Sequence, residues 1–194
     1  MQLIEPETVL ETERLYLEPL QERHATLLYP VLRDKRIYTY LPQEPPTLEA
    51  LQWRYQKLAI RLPPPGDQAW LNWAVRVKVS GAYVGTVQAT VTPVRMAEIA
   101  YELGPLFWGQ GYATEACCRV LTMLFADYDV SEVNAQVDTR NAASIALLER
   151  LGFMRVGFQS EADFFKGHGS DEYTYRLLPF PYSTEAKQSS PAPE

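Results

Sequence analysis

The chain has 194 residues, 46% of them hydrophobic and 22% charged, with a formal net charge of −6. That length suits one domain with a substantial core, and the acidic balance without a basic stretch argues against a nucleic-acid partner. No apolar run is long enough to span a bilayer, and the first six residues lack the charged start and apolar segment of a signal peptide, so a soluble, cytoplasmic protein without a membrane partner is expected.

Residues 1–11 read as a loose leader. Leu15 and Leu17 alternate with Arg14, Tyr16 and Glu18 in a short strand that Pro19 ends. A helix is predicted over residues 24–34 with Leu27, Leu28, Val31 and Leu32 inward, Pro30 sitting awkwardly within it and His24 suiting a helix start better than catalysis. Ile37 to Pro42 and the Pro45-Pro46 pair make a loop. Thr47 then caps a second helix with Leu51, Tyr55, Leu58 and Leu62 on one stripe, stopped by Pro63-Pro64-Pro65-Gly66. Two alternating strands follow, one carrying Trp73, Val75, Val77 and Val79, the other Tyr83, Gly85, Val87, Ala89 and Val91, joined by a turn at Ser80-Gly81-Ala82. A third strand sets Ile99, Tyr101 and Leu103 against Glu98, Ala100 and Glu102 and ends at Gly104-Pro105.

After Gly111 the period changes to that of a helix, with Ala113, Ala116, Cys117, Val120, Leu121, Leu124 and Phe125 on one face. Cys117 and Cys118 are adjacent there and offer neither metal-ligand spacing nor a disulfide framework. Val133, Ala135 and Val137 mark another strand. Asn141 caps a helix that Gly152 closes as a left-handed residue. A strand from Phe153 and another over residues 172–178 finish the sheet, with His168 in the loop between them, and the Pro, Ser, Ala and Glu tail over residues 179–194 reads as disordered. Helices, an antiparallel meander, then strand, helix, strand and helix define an α+β domain over residues 12–178, with a mixed, mostly antiparallel central sheet flanked by helices.

The chemistry concentrates where the third strand passes into the helix. In Trp108-Gly109-Gln110-Gly111 two glycines let backbone N–H groups approach a ligand, and the free N–H groups and dipole of a helix start favour an anion. A tightly packed helix entry without ligand is the competing reading. The loop lacks the Gly-Lys-Ser/Thr of a Walker motif and the third glycine of a dinucleotide fingerprint, since Thr114 stands there. Downstream, Asn141, Ser144, Leu148 and Leu151 share one helix face, so an inward position carries a hydroxyl that capping does not explain.

Together, the stretch from Trp108 to Ala116 and Asn141-x-x-Ser144 followed by Leu151-Gly152-Phe153 resemble the GNAT superfamily of acetyl-CoA-dependent N-acetyltransferases, and most of all the branch containing ribosomal-protein-alanine N-acetyltransferases. The superfamily's loop often opens with Gln or Arg where this chain has Trp108. The resemblance implies acetyl-CoA as co-substrate, no metal, and cofactor contacts from Leu103, Gly104, Gly109, Gln110, Gly111, Tyr112, Ala113, Thr114, Asn141 and Ser144. The pyrophosphate would lie on the backbone of Gln110, Gly111, Ala113 and Thr114 and the pantetheine beside Glu102, Leu103 and Gly104. Transfer to a neutral amine in a ternary complex needs no covalent enzyme intermediate, and a backbone N–H near Leu103 could stabilise the oxyanion.

Ser144 would donate toward the departing sulfur, and Glu102 ranks first as base, ahead of Glu98 and Asp138, because it borders the place where strands splay. By the same resemblance Tyr38, Tyr40, Leu41 and Trp53 become candidates for acceptor contact, with ordinary packing as the alternative. A protein N-terminal amine is the acceptor this branch implies. A small amine such as an aminoglycoside, a polyamine or an amino acid is the nearest alternative, and a non-catalytic CoA-binding regulator is a second. Alternating strands count against a dinucleotide-binding oxidoreductase. Homodimerisation through edge strands near the C-terminus is a further family expectation.

Overall fold

The computed structural model describes residues 8–61 and 68–179. Strands β1 (Leu10–Glu11), β2 (Leu15–Pro19), β3 (Ala69–Val77), β4 (Tyr83–Val91), β5 (Met96–Leu103), β6 (Glu132–Asp138), β7 (Met154–Phe165) and β8 (His168–Leu177) form one sheet in the order β1-β2-β3-β4-β5-β6-β8-β7. Every neighbouring pair is antiparallel except β5 with β6. Helices α1 (His24–Leu32) and α2 (Leu48–Leu58) lie on one face, packed over Ala74, while α3 (Tyr112–Asp127) and α4 (Ala142–Arg150) lie on the other. The α+β class with a mixed, mostly antiparallel sheet is therefore the architecture of the protein. Among the described residues no helix is long and apolar enough to cross a membrane.

The main core explains why the strands alternate. Leu71, Val75, Val87, Ile99, Val133 and Tyr175 point from successive strands toward α3, which returns Ala116, Cys117, Val120, Leu121 and Leu124. At roughly 1.5–3 kcal/mol for each fully buried large apolar side chain, this face dominates the stability of the domain. On the opposite face α1 and α2 bring Ala25, Leu28, Leu32, Leu51 and Tyr55 together around Ala74 and Leu20.

Several details differ from the sequence expectation. Leu10 and Glu11, read as part of the leader, pair with β2, because Leu10 is only 4% exposed and belongs to the core. The inward face of α1 is His24, Ala25, Leu28 and Leu32, while Leu27 is exposed; the helix ends at Leu32 and runs through Pro30, which is exposed like Thr26 four residues before it. The lost backbone bond thus falls on the solvent side. Val79 lies in the β3–β4 turn and is fully open to solvent. His168 is the first residue of β8 rather than a loop residue, since Lys166 and Gly167 form a two-residue hairpin turn with both φ angles positive. The first seven residues of the leader, Leu62 with the Pro63-Pro64-Pro65-Gly66 stop, and the tail from Phe180 lie outside the described residues.

Candidate active site

The loop that joins β5 to α3 is held open by its own hydrogen bonds. Gly104 begins a short 3-10 turn over Pro105–Phe107, the Trp108 indole donates to the Leu103 carbonyl at 2.7 Å, and the Gln110 amide donates to the Leu106 carbonyl at 2.8 Å. Gly111 is the N-cap of α3 in the left-handed conformation, φ 80°, and has no side chain to satisfy the first-turn N–H groups of Tyr112, Ala113 and Thr114. The first helical bond is Glu115 N–H to the Gly111 carbonyl at 3.0 Å, so those N–H groups project from the helix start toward any anion placed there. Arg14 fastens the loop from outside. Its Nη1 donates to the Gln110 carbonyl at 2.9 Å and its Nε to Glu115 at 2.6 Å, and its guanidinium lies over the Tyr112 ring. Burial pushes the Glu115 carboxyl up, but hydrogen bonds from Thr12 and Arg14 outweigh it and hold the group below its ordinary value.

Beside this loop the sheet comes apart. β5 and β6 pair only from Met96 with Glu132 to Glu98 with Asn134, and no ladder joins them beyond that point. Gly104 N–H donates to the Val84 carbonyl on β4, so the Leu103 peptide groups face away from β4, toward the gap. The Leu103 carbonyl is taken by Trp108, which leaves the Leu103 N–H as the donor on that edge. Across the gap Asn141 caps α4 by accepting from Ser144 N–H at 3.2 Å, Ser144 is half-buried, and the Tyr101 hydroxyl reaches the Ser144 carbonyl at 3.4 Å. Gly152 closes α4 with φ 89°.

The three carboxylates differ sharply. Glu98 sits at the closed end of the β5–β6 pair, four residues and about 13 Å from Glu102 along the strand. Asp138 is buried and saturated: Arg140 donates through its backbone N–H, Nε and Nη2, Ser170 donates at 2.7 Å, and the Arg140 pairing drives its carboxyl down to about 2. Glu102 faces α1 and α2 at the mouth of the gap. Burial raises its pKa against the opposing pull of Arg54, whose Nη1 is 3.9 Å away. Thr86 lies directly across the ladder from Glu102, because Gly85 lets β4 approach so closely that a side chain there would collide with the Glu102 carbonyl. The hydroxyls of Thr86 and Tyr55 are buried without a protein hydrogen-bond partner, and buried polar groups of this kind are met by ordered water. Burial and the Glu102 charge both raise the pKa values of Tyr38 and Tyr55, which keeps those phenols protonated around the carboxylate.

The candidate acceptor residues divide. Tyr38 is buried next to Glu102; Tyr40 and Leu41 are half-buried in the loop that follows. Trp53 is 64% exposed, and its contact is a cation–π interaction with Lys57. Three residues that periodicity did not single out also shape this side. Arg54 pairs with Glu102, Arg140 lies 5.9 Å from the rings of both Tyr40 and Phe165, and Lys166 at the β7–β8 turn donates to the carbonyls of Tyr38, Leu41 and Gln43. Their positions come from contacts between segments far apart in the chain, so no local spacing announces them.

The model of the Acetyltransferase (GNAT) domain family matches residues 14–154. The N-acetyltransferase p20 of Bacillus licheniformis, itself described as uncharacterized, is 29% identical over 176 residues, covering 90% of this chain and 98% of the relative. The FsC-acetyl coenzyme A-N(2)-transacetylase of Aspergillus fumigatus is 26% identical over 159 residues, covering 79% of this chain and 68% of the relative. Among solved structures, a ribosomal L7/L12 alpha-N-protein acetyltransferase in complex with coenzyme A superposes with a TM-score of 0.78 at 22% identity, covering 88% of this chain and 98% of that one. The chain belongs to the GNAT family and is an acetyltransferase of that family, whose acyl donor is acetyl-CoA.

Proposed function

We propose that this protein transfers the acetyl group of acetyl-CoA to a primary amine by direct attack in a ternary complex in the cytoplasm, with a protein N-terminal amine as acceptor. The observation that supports the reading is the presence of a carboxyl and a hydroxyl on opposite faces of the sheet at one gap: Glu102 on the α1–α2 face, Ser144 on the α3–α4 face. A thioester lying in the gap would have a base on the amine side and a hydroxyl donor on the sulfur side. The uncapped start of α3 fits a pyrophosphate, and the Leu103 N–H fits the amides or carbonyl of an extended ligand.

Acetyl-CoA supplies an activated acyl group. The acceptor arrives as an ammonium ion, and Glu102 takes its proton, directly or through water bridging the Thr86 and Tyr55 hydroxyls. The neutral nitrogen forms the C–N bond as the carbonyl oxygen gains charge, which the Leu103 N–H accommodates. The C–S bond then breaks, the nitrogen passes its second proton through water to Ser144, and the Ser144 hydroxyl hands its own proton to the sulfur. The products are the amide and CoA thiol. Alignment of amine and carbonyl contributes up to roughly 7–11 kcal/mol, and the base another factor of about 10²–10⁴ in rate. The similarity to the L7/L12 acetyltransferase supports a protein N-terminus; the similarity to the fungal N(2)-transacetylase supports a small-molecule amine as the second reading.

Calorimetric titration with acetyl-CoA, with NAD as control, tests the donor. Thiol release with N-terminal peptides, set against polyamines, aminoglycosides and amino acids, tests the acceptor. Turnover on peptides is expected. Binding without turnover on any amine would point to a CoA-binding regulator, and no binding at all would remove the transferase reading.

A further inference from the structure

Beyond the helix start, a cleft of about 740 Å³ continues along the outer surface of α3 from Gly111 past Thr114 and Cys118 to Arg119 and Thr122, with Arg150 of α4 forming its far wall. Two carboxylates line it, and both are already engaged: Glu115 by Thr12 and Arg14, Glu11 by Lys78. Two guanidinium groups are not. Arg119 has no ion pair or hydrogen bond among the described residues, and Arg150 only reaches the Thr114 hydroxyl at 3.4 Å. Arg119 lies eight residues, about 12 Å, beyond Gly111 along the helix, and its side chain leans back toward the N-terminal turn, into the cleft. The cleft therefore presents two separate anion sites in line: backbone N–H groups at the helix start, then a pair of arginines from two helices.

Resting on the acetyl-CoA reading, we propose that Arg119 and Arg150 bind the 3′-phosphate of the cofactor and make this enzyme select phosphorylated CoA over its 3′-dephospho form. The donor carries three phosphoryl groups in two places, a pyrophosphate and a ribose monoester. The first matches the helix start. The second is a dianion at the end of the molecule remote from the thiol, where planar guanidinium forks suit its oxygens. Arg14 is placed for the other site: its Nε and Nη1 bind Glu115 and the Gln110 carbonyl and its Nη2 lies beside Gly111, so it stands at the helix start rather than at the far end of the cleft.

The test is calorimetric titration of the full chain with CoA and with 3′-dephospho-CoA, repeated on Arg119→Met, Arg150→Met and the double variant. The wild-type protein should prefer CoA by at least about tenfold, the worth of one charge-assisted hydrogen bond. In the double variant that preference should shrink to about twofold or less while dephospho-CoA affinity holds. Equal wild-type affinities would overturn the inference and leave the acetyl-CoA reading intact. A parallel loss of both ligands in the variants would assign the arginines to the pyrophosphate and overturn it too. Failure of the wild type to bind either ligand would instead remove the cofactor reading itself. Because the wild-type comparison needs no variant, misfolding of a variant leaves the inference decidable.

Discussion

In the proposed site, residues 103–116 would furnish the anion-binding half from one continuous stretch and mostly with backbone, whereas the amine-facing half would be gathered from the side chains of Tyr38, Arg54, Tyr55, Glu102, Arg140 and Lys166. A backbone site tolerates side-chain exchange. Trp108 stands where the family often has Gln or Arg, and it simply finds a new partner in the Leu103 carbonyl. Such a site fails when the backbone path is blocked. The side-chain half behaves the other way: its chain path is free to vary, but each charge and hydroxyl is individually exposed to substitution.

The largest effect should come from blocking the backbone half. Gly111→Glu places a side chain at φ 80°, with the added Cβ 3.2 Å from Arg14 Nη2, and brings negative charge to the helix start. Acetyl-CoA binding by calorimetry should vanish while the circular dichroism spectrum stays native; normal binding by the folded variant would move the cofactor elsewhere.

Next comes Glu102, the proposed base. Glu102→Gln should lower kcat by about 10²–10⁴ with acetyl-CoA affinity unchanged. Since the folded pKa of Glu102 is raised, wild-type activity should climb with pH through a limb above the usual carboxylate range, and the variant should lose that limb. The same shift has the opposite effect on stability. A carboxyl with a raised folded pKa costs nothing while protonated in both states and destabilises the fold as pH rises through its unfolded and then its folded value. Glu102→Gln should therefore gain melting temperature relative to wild type at pH 8 and not at pH 4. An unchanged rate profile would return Glu102 to a structural role.

A smaller loss is expected at Ser144, where water can replace the hydroxyl. Ser144→Ala should reduce kcat by about tenfold, or about 1.4 kcal/mol, and leave the acetyl-CoA dissociation constant within about twofold. Identical turnover would exclude the serine. The mildest change is Lys166→Met, which releases three carbonyls of the 38–43 loop. It should raise KM for the amine a few-fold, about 1 kcal/mol, without touching acetyl-CoA binding. A change in the cofactor constant instead would show that the two halves are coupled.

The same division governs what can be read from the chain. Alternation in β3, β4 and β5 and the helical spacing from Ala113 to Leu124 follow directly from burial of one face, and the caps at Thr47, Asn141 and Gly152 are local chemistry, so each is legible in a window of a few residues. Glycine and a change of period mark the α3 start for the same reason. Arg54 beside Glu102, and Lys166 beneath the Tyr38 loop, are set by how α2 and the β7–β8 hairpin dock, which no periodicity encodes. The inward face of α1 is hidden from periodicity because Leu27 and Val31 are apolar, yet the helix turns His24 into the protein, where its Nδ1 accepts from Gln21 N–H and its Nε2 meets Glu18. Asp138 is as eligible a base as Glu102 by residue type alone; Arg140, two residues on, folds back onto it, and the fold adds the Ser170 hydroxyl from β8.

The short β5–β6 ladder has a metabolic consequence. Three residue pairs are all that tie the two halves of the sheet across this seam, so a ligand lying in the gap supplies rungs that the polypeptide does not. On the acetyl-CoA reading, the folded state gains RT ln(1 + [L]/Kd), about 2.7 kcal/mol when free ligand exceeds Kd a hundredfold. Resistance to unfolding and proteolysis then rises and falls with the supply of the donor, and the catalyst is longest-lived when there is most acetyl to transfer.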